Sequence, residues 1–393
     1  MPFLDQTYYF IMKTNKFQYA KLLPVLFSFV VMGFVDIIGV ATGYIKRDFE
    51  VTNFIAQFLP MMVLLWFFVL SVPAGLLQDK YGKRNMLNIG MVLQAIGLGL
   101  PFVSYSFGMM FASFILLGIG NTIIQVSANP LLQDVSPPEK LASYLSTSQF
   151  IKAIISFSGP LIATFFATSF GDWRLVLATY GITSLLASVW LFATPVKESE
   201  PAREPATFRS CFSLLSNRFV TFMALSIFLI VGSEVAINTN IANIIVSRYE
   251  VSLETAAIGI SIFFAGETIA RFLGAIILNI IRPRLFLMLI AFLSLAGVVG
   301  VFLAPSVTMA FVAIFIIGLG TGSMFPVIFS IALKKIPDRA NEISGLLIMS
   351  VSGGAVIPPV MGFVSTTLGS LVSLSVIGLC MLYILWVSFY LRK

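Results

Sequence analysis

The chain has 393 residues, 58% of them hydrophobic and only 10% charged. A soluble core cannot absorb that much apolar surface, so the solvent is lipid and little room is left for an enzyme-sized soluble domain. The net charge of +7 needs a topological explanation before any nucleic-acid one, and the absence of histidine removes the commonest metal ligand and neutral-pH proton carrier.

A spanning helix needs roughly 20 apolar residues. Stretches of that kind run at 22–44, 54–77, 86–105, 107–132, 144–167, 174–194, 219–246, 256–279, 285–303, 308–333, 343–366 and 371–390. They predict an all-α membrane protein of twelve transmembrane helices. If both termini lie in the cytoplasm, Lys46, Arg47, Arg174 and Arg248 fall outside, and Lys152 and Arg271 fall within the membrane. The other lysines and arginines fall inside. That asymmetry is the positive-inside pattern. It predicts a multi-pass protein of the cell membrane, of the bacterial inner-membrane kind, with both termini cytoplasmic. The basicity is then a topology signal. The bilayer is the expected partner, nucleic acid is not, and the chain is expected to act as a monomer.

Cys211 and Cys380 are isolated, so neither a disulfide framework nor a CxxC metal site is expected. No metal and no cofactor are expected, and proton coupling must use carboxylates. The first 20 residues lack a signal-peptide cleavage pattern, so the first span is expected to be retained.

The stretch 195–218 is rich in proline and charge. It reads as a cytoplasmic linker between two six-helix bundles, 1–194 and 219–393. An internal repeat supports the division. LLGIG at 116–120 is matched by IIGLG at 316–320, so Gly118 and Gly318, and Gly120 and Gly320, stand 200 apart. Pro137 corresponds to Pro337, and Gly159-Pro160 roughly to Pro358-Pro359. A fixed offset of about half the chain indicates duplicated six-helix units. Parallel halves of this kind are a known transporter plan, with the substrate site at mid-depth between them.

Five ionisable residues lie inside spans: Asp36, Lys152, Glu234, Glu267 and Arg271. A charge near the bilayer centre costs several kcal/mol, so each needs a task or a partner. Asp36 lies 15 residues past Lys21, about 22 Å along a helix at 1.5 Å per residue. It reads as a proton acceptor, or alternatively as half of a structural ion pair with Lys152. Lys152 lies 12 residues past Lys140, about 18 Å along the helix, at a compatible depth. Three readings stay open for it: partner of Asp36, binder of an anionic substrate, or surrogate cation in the cycle. Glu234 and Asn238 share one face of the seventh span, and Asn240 and Asn243 extend the polar strip, as cavity lining or as interhelical hydrogen bonding. Glu267 and Arg271 stand at i and i+4, the spacing of an intrahelical ion pair. Phe325 and Trp66 are candidate cavity walls. No phosphate-binding loop is present, so an ATP-driven pump is unsupported.

The loop after the second span reads Gly75-Leu-Leu-Gln-Asp79-Lys80-Tyr-Gly82-Lys83-Arg84. It resembles the gate-loop signature of the major facilitator superfamily, GxxxDxxG followed by basic residues. Gly75 suits close helix approach, and Gly82 a tight turn. Asp79 can accept from a helix N-terminus or a basic partner. Lys83 and Arg84 read as cytoplasmic anchors. MGFVD (32–36), VSANPLL (126–132), VGSEVAI (231–237), MFPVIFSIALK (324–334) and SGLLIMSVSGGAVIPPVMG (344–362) resemble the fucose permease and glucose/galactose branch of that superfamily.

The resemblance implies the superfamily fold, two pseudo-symmetric six-helix bundles. It also implies alternating-access import of a fucose-, glucose- or galactose-like monosaccharide, coupled to a proton or, failing that, Na+. It makes Asp36 the coupling carboxylate. Gln149 fits a substrate-contacting glutamine of the branch, whereas Lys152 stands near where the branch can have an asparagine; Gln125, Asn129, Lys152, Glu234 and Asn238 are read from their own positions as lining the same cavity. Gln125 stands where fucose permeases of the branch carry a glutamate, so a two-carboxylate relay is in doubt, and Asn129 beside Pro130 also fits a kink-forming role. The rival substrate is an acidic sugar or other organic anion, held by Lys152 or Arg271. A non-transporting membrane receptor or enzyme, and a channel, fit the motifs less well.

Overall fold

The computed structural model describes residues 21–51, 55, 58–199, 207–251 and 253–390. Among these residues, twelve helices are long and apolar enough to cross a membrane. In chain order they are α1 (Lys21–Asp48), α2 (Phe58–Tyr81), α3 (Lys83–Val103), α4 (Phe107–Val135), α5 (Pro138–Phe170), α6 (Leu175–Ala193), α7 (Arg218–Tyr249), α8 (Ile258–Ile277), α9 (Pro283–Leu303), α10 (Val307–Lys335), α11 (Pro337–Leu368) and α12 (Ser370–Tyr390). No strand occurs among the described residues. Large side chains such as Phe157, Phe192, Phe363 and Leu379 stand exposed. In a chain of this hydropathy, that surface is solvated by acyl chains.

Helices rather than sheets form because lipid offers no partner for a free backbone N–H or C=O. The loops end helices by ordinary chemistry. Ser106 and Ser306 each cap the following helix, accepting from the N–H of Met109 and Met309. Gly82 turns the chain between α2 and α3 at φ +83°, a region that favours glycine.

The chain divides into two compact units. One comprises 1–66, 73–138 and 151–206; the other comprises 67–72, 139–150 and 207–393. In the first, α3 packs along α4 and α6. In the second, α9 packs along α10 and α12, α8 along α10, and α7 along α11. The opening third of α5 belongs with the second unit, where Ser143 donates to the Ala275 carbonyl of α8 and accepts from Asn279 at 3.1 Å.

The 200-residue repeat is present in the packing. A Cβ on Gly118 would stand 2.9 Å from Val63 Cα, and one on Gly318 would press into the Phe263 carbonyl. A Cβ on Gly120 would meet the Gln94 nitrogen at 2.7 Å, and one on Gly320 the Ser294 nitrogen at 2.5 Å. Both members of each contact shift by 200. Each unit thus seats its fourth helix on its second and third through the same two glycines, whose missing side chains let backbones touch.

Gly120→Ala and Gly320→Ala should therefore each destabilise the protein by about 1–3 kcal/mol, the usual cost of overpacking a tight contact. Gly99→Ala, which meets nothing within 4 Å, should not. Thermal unfolding of the three variants in detergent checks this, and a cost confined to one repeat position would contradict the shared packing.

Candidate substrate and coupling site

The site is built around an interruption in α1. Residues Phe34–Ile37 form a 3-10 turn within the span. Just before it, Gly33 lies against α5: a Cβ there would stand 2.9 Å from Ile155 Cβ and 3.0 Å from the Lys152 carbonyl. Phe34, Val35 and Ile37 are buried, while Asp36 faces outward from this packing with 39% of its side chain exposed. Phe34 stacks on Tyr180 of α6, with ring centroids 3.9 Å apart.

Two side chains one turn apart on α5 meet Asp36. Ser156 donates its hydroxyl to Asp36 Oδ2, and Lys152 Nζ lies 3.9 Å from the same oxygen. Ser156 also reaches the Lys152 carbonyl at 2.9 Å. A hydroxyl has one proton, so the two bonds compete. Of the readings for Lys152, partnership with Asp36 thus has a contact in the structure, although at 3.9 Å it is an ion pair and not a hydrogen bond.

A polar ladder on α4 supports the interrupted helix. Asn121 donates to the Met32 carbonyl at 2.8 Å, and Gln94 of α3 donates to the Val31 carbonyl at 2.8 Å. These carbonyls lead into the 3-10 turn, where in-helix hydrogen-bond geometry is poorer. Gln125 donates to Asn121 Oδ1 at 2.9 Å, and Asn129 donates to the Gln125 carbonyl at 2.8 Å. Gln125 and Asn129 are both buried. Gln94, Asn121 and Ser156 escaped the sequence reading. The i, i+4, i+8 spacing of Asn121, Gln125 and Asn129 was the available signal for the ladder; nothing marked Ser156 or Gln94.

The remaining candidates lie in the second unit. Gln149 is half-buried on the opening part of α5. Glu234 and Asn238 are half-buried on α7, and Asn240 turns its amide to the Ala236 carbonyl at 3.0 Å. Glu267 is 2% exposed and pairs with Arg271 at 3.3 Å, while Thr321 donates to it at 3.4 Å. Arg271 also donates to the Gly322 carbonyl at 3.2 Å. This pair joins α8 to the bend of α10, as a self-neutralising structural pair would.

The gate motif is held differently from its sequence reading. Lys83 is not a solvated anchor. It is buried and forms a 2.7 Å ion pair with Asp134 at the end of α4, both side chains 5% exposed. Glu198, from the stretch read as a linker, accepts from the backbone N–H of Lys83 at 2.6 Å and of Arg84 at 3.1 Å. A carboxylate there complements the N-terminal end of α3. Arg84 caps the other end of the neighbouring helix, donating to the Leu191 and Phe192 carbonyls. Gly82 lies against the same carboxylate, its Cβ position 3.2 Å from Glu198. Gly75 is buried and Asp79 half-buried on the last turns of α2.

At the far end of the first unit, Asp48 accepts from Tyr105 at 2.7 Å and Trp173 at 2.9 Å. Burial, then the hydrogen bond to Asp48, pushes the Tyr105 phenol up to about 12, so it remains a donor at neutral pH. The Arg174 hydrogen bonds hold Asp172 below the usual carboxylate range, and the Arg174 guanidinium lies 4.2 Å from the Tyr105 ring centroid. Both ends of this unit are thus tied by charge-assisted bonds, while its middle holds the longer Lys152–Asp36 pair described above.

The sequence pattern described as Major Facilitator Superfamily matches residues 25–359. A glucose/galactose transporter of Brucella abortus is 26% identical over 377 residues, covering 91% of this chain and 90% of that one. The L-fucose-proton symporter of Escherichia coli is 21% identical over 378 residues, covering 83% and 82%. The crystal structure of the transporter FucP in the outward conformation superposes with a TM-score of 0.83 at 20% identity, covering 95% of this chain and 98% of that one. At that identity the structural likeness is one of fold.

The buried Lys83–Asp134 pair makes a sharp prediction. Lys83→Met leaves Asp134 without its cation and should destabilise the first unit by about 3–5 kcal/mol, whereas Lys83→Met with Asp134→Leu should cost much less. Denaturation of both variants measures the difference. Equal losses would mean that the pair is not what holds α3 to α4.

Proposed function

The chain belongs to the Major Facilitator Superfamily, and on that footing we propose that it is a secondary transporter importing a monosaccharide by proton-coupled symport. The observation that carries the proposal is Asp36: a partly exposed carboxylate on a broken turn of α1, within reach of a hydroxyl and an ammonium. The relatives, whose names include a glucose/galactose transporter and an L-fucose-proton symporter, support a sugar substrate and a proton as coupling ion.

In this reading Asp36 is the proton switch. Gln125, Asn129, Gln149, Lys152, Glu234 and Asn238 contact substrate, and Gly75, Asp79, Gly82, Lys83 and Arg84 form the gate loop. Residues 1–194 and 219–393 are the two half-transporters, joined through 195–218, and the 200-residue offset supports that division. The lysine and arginine asymmetry supports a cell-membrane location with both termini cytoplasmic. No cofactor is needed for such a cycle, because the ion gradient supplies the free energy.

Reconstitution tests the proposal. Purified protein in liposomes should show saturable sugar uptake, counterflow and acceleration by an inward proton gradient. Asp36→Asn keeps shape and hydrogen bonding but cannot titrate. It should abolish accumulation while leaving exchange partly intact. A variant that still concentrates sugar would remove Asp36 from the coupling role.

A further inference from the structure

We propose that the site around Asp36 takes an acidic monosaccharide, a hexuronate-type sugar whose carboxylate is held by Lys152 while Asp36 takes the co-transported proton. This rests on the sugar-transport reading above and narrows its substrate class.

The first support is the state of Lys152. Its side chain is 23% exposed in the middle of α5. Its Nζ makes no hydrogen bond to any described residue, and its counter-ion stands at 3.9 Å, beyond hydrogen-bonding distance. An ammonium has three donors and no acceptor. One kept in a membrane span with its donors available, beside a partly open carboxylate, is poised to receive an anion.

The second support is that Asp36 does not depend on Lys152 alone. Ser156 donates to the same Oδ2 oxygen. If the ammonium swings to a ligand, the carboxyl group keeps a hydrogen-bonding partner whether or not it is protonated. The contrast with Lys83–Asp134 is direct. That pair is closed at 2.7 Å with both side chains buried, which is what a purely structural pair looks like. The Lys152–Asp36 pair is longer and more open on both sides.

Charge balance then links substrate to proton. Away from the span ends, Asp36 and Lys152 are the charged residues of α1 to α6. The titratable groups set against the Asp36 turn are Lys152 from α5 and Tyr180 from α6, the latter stacked on Phe34. A ligand carboxylate brings a second anion to one cation. A proton binding to Asp36 restores neutrality. One sugar carboxylate and one proton enter together, with no net charge moved. A neutral hexose leaves the pair intact and brings no charge that a proton must balance.

The test compares sugars that differ only at C6. Binding of D-galacturonate and D-glucuronate is measured calorimetrically on the full-length protein against D-galactose and D-glucose. At least one uronate should bind more tightly than its neutral counterpart. Lys152→Gln should weaken that uronate by about ten- to a hundredfold, the worth of charge-assisted hydrogen bonds, and should weaken the neutral sugar by clearly less. Lys152→Arg should retain measurable uronate binding. In liposomes, uronate uptake by the unaltered protein should follow an inward proton gradient and ignore an imposed membrane potential.

Binding of neutral sugars without uronates, or equal weakening of both by Lys152→Gln, overturns the acidic-sugar inference and leaves sugar transport standing. Binding of no sugar of either kind sinks both. If Lys152→Gln does not fold, the potential experiment decides: uronate uptake driven by membrane potential overturns the charge exchange.

Discussion

A lipid interior offers no hydrogen bonds, so the backbone polar groups of the spans have to be answered from within the protein. That constraint shapes α1 most visibly. Its turn at Phe34–Ile37 departs from α-helical geometry, and a departure of this kind needs help from neighbours. The help comes from buried amides on other helices, Gln94 to the Val31 carbonyl and Asn121 to the Met32 carbonyl. Because those amides are fixed on α3 and α4, the turn is fixed too, and Asp36 is presented at one place against α5. The coupling candidate is thus a consequence of how a broken helix is kept satisfied.

Close packing does the rest. Without a hydrophobic drive between helices in lipid, association rests on contact between surfaces, and small residues give the most contact. Gly33 brings α1 against Lys152 and Ile155, which is what lets Ser156 and Lys152 meet Asp36. Gly118 and Gly120 seat α4, and Gly318 and Gly320 seat α10 in the same way. The repeated glycines are therefore a packing rule used twice, and Gly232, set on α7 against Ile357 and the Gly353 carbonyl, stands in the second unit much as Gly33 stands against Ile155 and the Lys152 carbonyl in the first. The halves share a scaffold and differ where the charges are.

Much of this was legible in the sequence, and what was not has a common cause. The spans follow from hydropathy alone. The pairing of Glu267 with Arg271 follows from an i, i+4 spacing on one helix, and the repeat from a constant offset. Asp36 and Lys152 announce themselves because a charge in a span is costly. What escaped were contacts between distant positions: Ser156 to Asp36 across 120 residues, Lys83 to Asp134 across 51, and Glu198 to Lys83 across 115. A serine in a membrane helix usually back-bonds its own turn, so Ser156 carried no signal. Lys83 read as a cytoplasmic anchor because basic loop residues generally are, and only the fold brings a buried carboxylate to it. Glu198 lay in a stretch whose composition says linker and nothing more.

Three of the ion pairs inside or beside the spans also separate by energetics. A closed, dehydrated pair such as Lys83–Asp134 costs roughly 3–5 kcal/mol to split by removing one partner, and with both side chains 5% exposed a ligand charge has no access to take the lost partner's place. Glu267–Arg271 is anchored further by Thr321 and the Gly322 carbonyl, so moving it means moving the bend of α10. Lys152–Asp36 is different. Two unit charges about 4 Å apart attract by about 4 kcal/mol at an effective dielectric of 20, and partial exposure lowers that. A ligand with a dissociation constant of about 1 mM releases about 4 kcal/mol on binding. The attraction and the binding energy are of the same size, so this pair can exchange one partner for another within a transport cycle while the others hold the framework in which it does so.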